Sequence, residues 1–137
     1  MTERYDPEKL YERIVSASGG LRHAEDVHAL IQAASPEHAA VIYDIAFRAK
    51  FIVRTRNVLQ RLAPNDDNRA KLKETFQSEL GSVKENILKL TSDLPENEQK
   101  RFEQYYFSPT VESFGMLMDL LHDLSWIQNV KIDEEEL

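Results

Sequence analysis

The stretch that decides the fold is PEHAAVIYDIAFRAKFIVRTRNVLQRL, residues 36–62. At about 100° of rotation per residue, its apolar side chains form two stripes about 160° apart on one long helix. The first stripe consists of Ile42, Ile45, Ala46, Ala49, Ile52 and Val53, and the second of Ala40, Phe47, Phe51, Val58 and Leu62. A helix that is apolar on two faces is usually buried between layers. We therefore expect residues 36–62 to form the central helix, or one of its faces to be an oligomer interface.

The sequence on both sides of this stretch carries the start and stop signals of further helices. Asp6 and Pro7 open a first helix, as N-cap and first-turn residue, and Gly19 closes it by accepting a left-handed turn. Ser-Pro pairs predict the openings of the long helix at Pro36 and of a later helix at Pro109. Besides the long helix, the predicted helices cover about residues 6–18, 22–34, 69–93, 95–107 and 108–128.

The helix predicted after the long one has a single apolar seam and a polar back. Its seam residues step by four and three, which is nearly heptad spacing. They are Leu72, Phe76, Leu80, Val83, Ile87, Leu90 and Leu94. Long helices joined by short loops favour antiparallel packing. The sequence thus predicts an all-α protein, a five- to six-helix antiparallel bundle with a long central helix, and residues 1–137 as a single helical domain.

The composition excludes several kinds of chemistry. The chain has 137 residues and no cysteine, which rules out disulfides, thiolate nucleophiles and cysteine-ligated metal sites. Residues 1–13 have no apolar core of the kind found in signal peptides, and the apolar runs along the chain are too short to cross a membrane. We therefore expect a soluble, cytoplasmic protein without a membrane partner.

Charge is distributed unevenly along the chain. The net charge is −7, but residues 48–73 hold eight basic and two acidic side chains and so carry +6, which leaves −13 on the remainder. The sequence ends in an acidic run, residues 133–136. An acidic overall balance disfavours nucleic acid as a partner, because phosphates attract basic surfaces. Residues 48–73 are the exception, because this segment is net positive.

Motifs for catalysis or metal binding are not found. The chain lacks a glycine-rich phosphate loop and a nucleophile elbow. The pairs Glu25–His28 and Asp119–His122 have the spacing of carboxylate–histidine ligands in helical bundles. Their side chains, however, are predicted to point away from the apolar faces of their helices. We expect no metal and no cofactor, and the sequence leans against an enzyme.

Arginines of the long helix are candidates for binding an anion. Asp44 and Arg48 stand four residues apart and can meet on one helix face, beside the stripe that contains Phe47. Their pair is either an internal ion pair that fixes helix packing or part of a ligand pocket. Arg56, near the other apolar stripe, also needs an anion. A small anionic ligand bound in the bundle by Arg48, Arg56 or Arg54 is therefore one alternative function.

A second group of cations lies along one side of the same helix. Arg54 and Arg61 point in nearly the same direction, with Lys50 and Tyr43 close by. Such a row is typical of a surface that follows phosphates, with the tyrosine stacking on a base. The favoured interpretation is that acidic neighbours in the fold neutralise these charges. Nucleic-acid binding through residues 48–73 is thus a further, less favoured alternative.

Surplus aromatic residues favour an interaction surface. Three consecutive aromatics, residues 105–107, cannot all face one core, because neighbouring helix residues diverge by about 100°. Trp126 is predicted to lie on the polar side of its helix. Exposed aromatics are frequent anchors at protein interfaces. The leading hypothesis is a non-catalytic helical module for protein interaction or self-association. Self-association would include a homodimer formed through one apolar stripe of residues 36–62.

Overall fold

The computed structural model describes residues 5–130, which fold into six α-helices. These are α1 (Pro7–Ser18), α2 (Ala24–Ala33), α3 (Ala39–Arg61), α4 (Arg69–Thr91), α5 (Glu96–Tyr106) and α6 (Val111–Val130). The predicted all-helical bundle with a long central helix is confirmed. The acidic run at residues 133–136 lies outside the described residues.

Helix α3 lies between α4 and α6 and packs against both. It forms an antiparallel hairpin with α4: the guanidinium of Arg69, at the start of α4, donates to the carbonyl of Leu59 at 2.6 Å. Near the middle of both helices, Arg48 reaches Glu79. Helix α6 also packs against α1, α2 and α5. Helices α3 and α6 together therefore contact each of the other four helices.

The first helix follows its local sequence signals. The carboxylate of Asp6 accepts the backbone N–H of Lys9 at 3.1 Å, and Pro7 occupies the first turn. Gly19 ends the helix with φ of 77°, a left-handed conformation in which a side chain would be strained. Leu10 and Ile14, one turn apart, are fully buried. Here the predicted caps are confirmed, and the buried pair gives the helix its core face.

Two predicted helix starts are wrong, for the same reason. Pro36 and Pro109 do not begin α3 and α6, because each lies in a turn that precedes the helix. Residues 34–38 form a turn closed by the N–H of His38, which donates to the carbonyl of Ala34 at 2.9 Å. At α6 the cap is Thr110, whose hydroxyl accepts the N–H of Ser113 at 3.0 Å. A Ser-Pro pair marks a turn as readily as a first helical residue.

The core is a continuous apolar cluster to which all six helices contribute. From α3 it takes the first predicted stripe, since Ile42, Ile45, Ala49 and Ile52 are fully buried. The seam of α4 faces the same core over Phe76, Leu80, Val83, Ile87 and Leu90. Between residues 5 and 130, no helix combines the length and apolar character needed to cross a membrane.

Candidate functional site

The second apolar stripe of α3 is not covered by the fold. Phe47 is 62% exposed, Phe51 38% and Val58 44%. The expectation that this stripe would be buried inside the chain's own fold is therefore wrong. Helices α4 and α6 flank α3 and cover its opposite side, but they leave the outer face open. The alternative reading of the two stripes, one core face and one interface, fits this arrangement.

Arg54 and Arg61 lie on the same open face as the exposed apolar residues. From Phe47 to Arg61 the steps are four, three, four and three residues, so all five side chains follow one line along the helix. We call this set the α3 strip: Phe47, Phe51, Arg54, Val58 and Arg61. Both arginines are exposed, and neither makes a hydrogen bond or ion pair with any residue from 5 to 130.

The predicted pair Asp44–Arg48 does form, as part of a polar bridge between α3 and α4. Nε of Arg48 donates to Asp44 at 2.8 Å, and Nη1 donates to Glu79 of α4 at 2.7 Å. The amide of Asn86, also on α4, donates to Asp44 at 2.7 Å. Hydrogen bonds to both carboxylates raise the pKa of Arg48 further above its ordinary value. The guanidinium is thus already neutralised within the protein.

Other residues of the predicted sites are separated from one another. Arg56 lies with its guanidinium carbon 5.7 Å from the centre of the Phe114 ring, on the side of α3 that packs against α6. Tyr43 is half-buried and packs in a T-shaped arrangement against Tyr5, with the ring centroids 6.1 Å apart. Burial raises the pKa of Tyr43 above its usual range. Lys50 donates to Asn129 of α6 at 2.9 Å.

The arginines therefore do not converge on one point. Arg48 faces α4, Arg56 faces α6, and Arg54 and Arg61 remain on the outer strip. Asp44 is the one acidic residue of α3, and its carboxylate is already hydrogen-bonded in the bridge to α4. The outer face of α3 is consequently both apolar and cationic, on a chain whose net charge is −7.

A polar cluster that the sequence reasoning missed fastens α2 to α5. Asp26 of α2 is buried, and Nη2 of Arg101 donates to its carboxylate at 2.5 Å. The hydroxyl of Tyr106, itself 1% exposed, also donates to Asp26. Because that hydroxyl has one proton, it accepts from Nδ1 of His23 at 3.2 Å. Burial and the bond to Asp26 raise the pKa of Tyr106 well above its usual range.

The same end of α2 is held by a carboxylate from α6. Asp123 is only 2% exposed, and its two oxygens accept the backbone N–H groups of Arg22, at 3.2 Å, and His23, at 2.7 Å. It therefore satisfies donors at a helix start that has no side-chain cap of its own. Asp119, one turn earlier, pairs with the exposed guanidinium of Arg22 at 2.8 Å.

Local spacing gives a signal for these buried acids. Asp123 follows Leu120 by three residues and precedes Ile127 by four, so it lies on the apolar face of α6. Asp26 similarly precedes the fully buried Leu30 by four. A carboxylate in line with core residues must be paired. The spacing would have revealed their burial, although not the identity of their partners.

The buried cluster is closed on itself. No buried side-chain nitrogen or oxygen between residues 5 and 130 lacks a hydrogen-bond partner. His28, from the spacing Glu25–His28, instead contacts Glu8 of α1 at 2.9 Å. Within the same residues, no three histidine or carboxylate side chains are grouped in a way that could hold a metal ion. The buried cluster stabilises the packing of α2, α5 and α6, whereas the α3 strip presents apolar side chains and arginines to solvent.

Comparisons with known protein families, with curated proteins and with solved structures give no significant match to this chain.

Proposed function

We propose that this chain is a helical protein-interaction module that binds through the α3 strip. The observation that carries the proposal is the exposure of Phe47, at 62%, in line with Phe51 and Val58 on one helix face. Burying a large apolar side chain contributes about 1.5–3 kcal/mol relative to leaving it in water. An apolar line with arginines beside it has the composition of an interface centre, where aromatics and arginine are enriched.

The packing of α3 supports a role beyond the fold for this face. The fully buried stripe of the helix supplies the core, and the bridge from Asp44 and Arg48 to α4 fixes its rotation. Phe47 and Val58 are therefore held outward by a rigid element. A presented side chain that is already ordered costs less conformational entropy on binding than one on a mobile loop.

The two alternatives from the sequence have less support. An anion pocket requires converging arginines, but Arg48 is neutralised by two carboxylates, Arg56 lies over Phe114, and Arg54 is on the exposed face of α3. A nucleic-acid surface of the predicted kind requires a row of free cations and a tyrosine available for stacking. Lys50 instead donates to Asn129, and Tyr43 packs against Tyr5. Neutralising Arg48 would abolish ligand binding under the first alternative. Steep weakening of nucleic-acid binding by salt would support the second.

Photocrosslinking tests the proposed function directly. A benzophenone amino acid in place of Phe47 should yield a discrete adduct in cells, identified by mass spectrometry as one protein or as a second copy of this chain. The same group at Val111, which is 87% exposed but lies on α6, is the matched control. No adduct, or adducts of equal pattern at both positions, would contradict binding through the strip.

A further inference from the structure

The spacing of the α3 strip specifies the shape of what binds it. Phe47 to Val58 spans eleven residues, about 16 Å along the axis, and the side chains recur by fours and threes. That recurrence is the one with which a helix packs its side chains between those of another helix. The strip also lies on a helix, which offers no free backbone groups to an extended strand. A helix laid along α3 is therefore the occupant that fits.

The two arginines specify the charge of that helix. Arg54 and Arg61 are seven residues apart and occupy the same position in successive heptads. Neither has an acidic partner among residues 5–130, whereas Arg48 and Arg101 are both paired with carboxylates. Resting on the proposed function, we infer that the partner's docking segment is an amphipathic α-helix with acidic residues flanking its apolar seam.

A second copy of the chain fits the strip less well. In a parallel pairing of two α3 helices, Arg54 and Arg61 meet their own equivalents. In an antiparallel pairing centred between Phe47 and Val58, the two Arg54 side chains are separated by about three residues, or about 4.5 Å along the axis. Both arrangements bring like charges together, which is the usual means of excluding a pairing.

An anionic membrane surface also fits less well than an acidic helix. Only two free arginines lie on the strip, and each basic residue near such a surface contributes only about 1 kcal/mol. The remainder of the protein is acidic, since the chain carries −7 in total, and is repelled by the same lipids. A helix is narrow enough to contact the strip alone.

Two synthetic peptides test the inference. Both are 21 residues long with leucine in the apolar seam, and the flanking positions are glutamate in one and lysine in the other. Each repels its own copies and so stays monomeric. In fluorescence anisotropy at low salt, the glutamate peptide should bind at least ten times more tightly than the lysine peptide. Arg54→Gln with Arg61→Gln should remove most of that preference, and Phe47→Gln should weaken both peptides.

The outcomes separate the charge inference from the proposed function. Equal binding of the two peptides, lost in Phe47→Gln, would overturn the acidic partner and leave the interaction module standing. Binding of neither peptide would overturn the acidic helix. If a concentration-dependent dimer by light scattering is then lost in Phe47→Gln, the occupant is a second copy. If the parent protein instead binds vesicles of phosphatidylcholine and phosphatidylserine, and Phe47→Gln does not, the occupant of the α3 strip is a membrane. The proposed function as a protein-interaction module then fails as well.

Discussion

The carboxylate of Asp123, on α6, accepts the backbone N–H of His23 at 2.7 Å and thereby caps α2 from a residue 100 positions along the chain. We expect Asp123→Ala to lower the free energy of unfolding by about 1–3 kcal/mol, because two partly buried N–H groups lose their acceptor. Urea denaturation followed by circular dichroism measures the change. Asp119→Ala, which removes only the exposed pair with Arg22, should cost less than about 1 kcal/mol. Equal losses in the two variants would contradict a capping role.

Arg101 neutralises a buried carboxylate, and its removal should be costly. Arg101→Met keeps an apolar stem over Phe102 but leaves Asp26 with Tyr106 as its remaining partner from α5. We expect a loss of about 1–3 kcal/mol in the free energy of unfolding, since hydrogen bonds to charged groups are among the stronger ones. The same urea experiment on Lys100→Met is the control, because within residues 5–130 Lys100 makes only an exposed pair with Glu96. A loss in Lys100→Met as large as in Arg101→Met would refute this assignment.

Tyr106 should make the fold sensitive to alkaline pH. Its folded-state pKa is raised above the ordinary value by burial, so its contribution to stability is fully present below about pH 10. Above that pH the unfolded chain releases the phenolic proton while the folded chain retains it, and the stability is lost as pH rises. The loss attributable to this one group is about 1 kcal/mol between pH 10 and pH 11.

Tyr106→Phe isolates this effect. The variant should be less stable at pH 8, because the hydrogen bond to Asp26 is gone, yet its free energy of unfolding should fall less steeply between pH 10 and pH 11. The slope will not vanish, since Tyr5 and Tyr43 also have raised pKa values. Chemical denaturation at half-unit intervals of pH gives both slopes. Parallel curves for variant and parent would show that Tyr106 does not couple folding to pH.

The two faces of α3 should respond to substitution in opposite ways. Phe47→Gln changes an exposed side chain, and we expect the free energy of unfolding to stay within about 0.5 kcal/mol of the parent. Ile52→Ala empties part of the core, and the expected loss is about 2–5 kcal/mol. Thermal and urea unfolding of both variants test the contrast. A large loss in Phe47→Gln would mean that the α3 strip belongs to the core.

How far the sequence could predict this fold depends on whether the determinants are local. Asp6 and Gly19 cap α1 within their own turns, and both were predicted. The predicted start of α2, at about residue 22, is two residues early, because the acceptor at this helix start is Asp123 and no residue nearby indicates it. Pro36 and Pro109 predict helix starts, but the turn over residues 34–38 and the cap at Thr110 determine where α3 and α6 begin.

For the candidate site, the sequence predicted directions along a helix but not which directions are covered. The pairing of Asp44 with Arg48 followed from their spacing of four. Their tertiary partners, Glu79 and Asn86, depend on the register of α3 against α4. The exposure of Phe47 depends on where α4 and α6 lie around α3, since a periodic pattern identifies two apolar faces without telling which one meets the core.

The capping of α2 by Asp123 also bears on the order in which the protein can fold as it is synthesised. A ribosome releases the chain from its amino end, so α2 emerges long before Arg101, Tyr106 and Asp123 exist to pair with it. Asp26 is a carboxylate without its partners until α5 has left the exit tunnel, and the backbone N–H groups of Arg22 and His23 lack their acceptor until α6 has followed. Folding of the amino-terminal third therefore depends on the last helix described, because α6 supplies the acceptor at the start of α2.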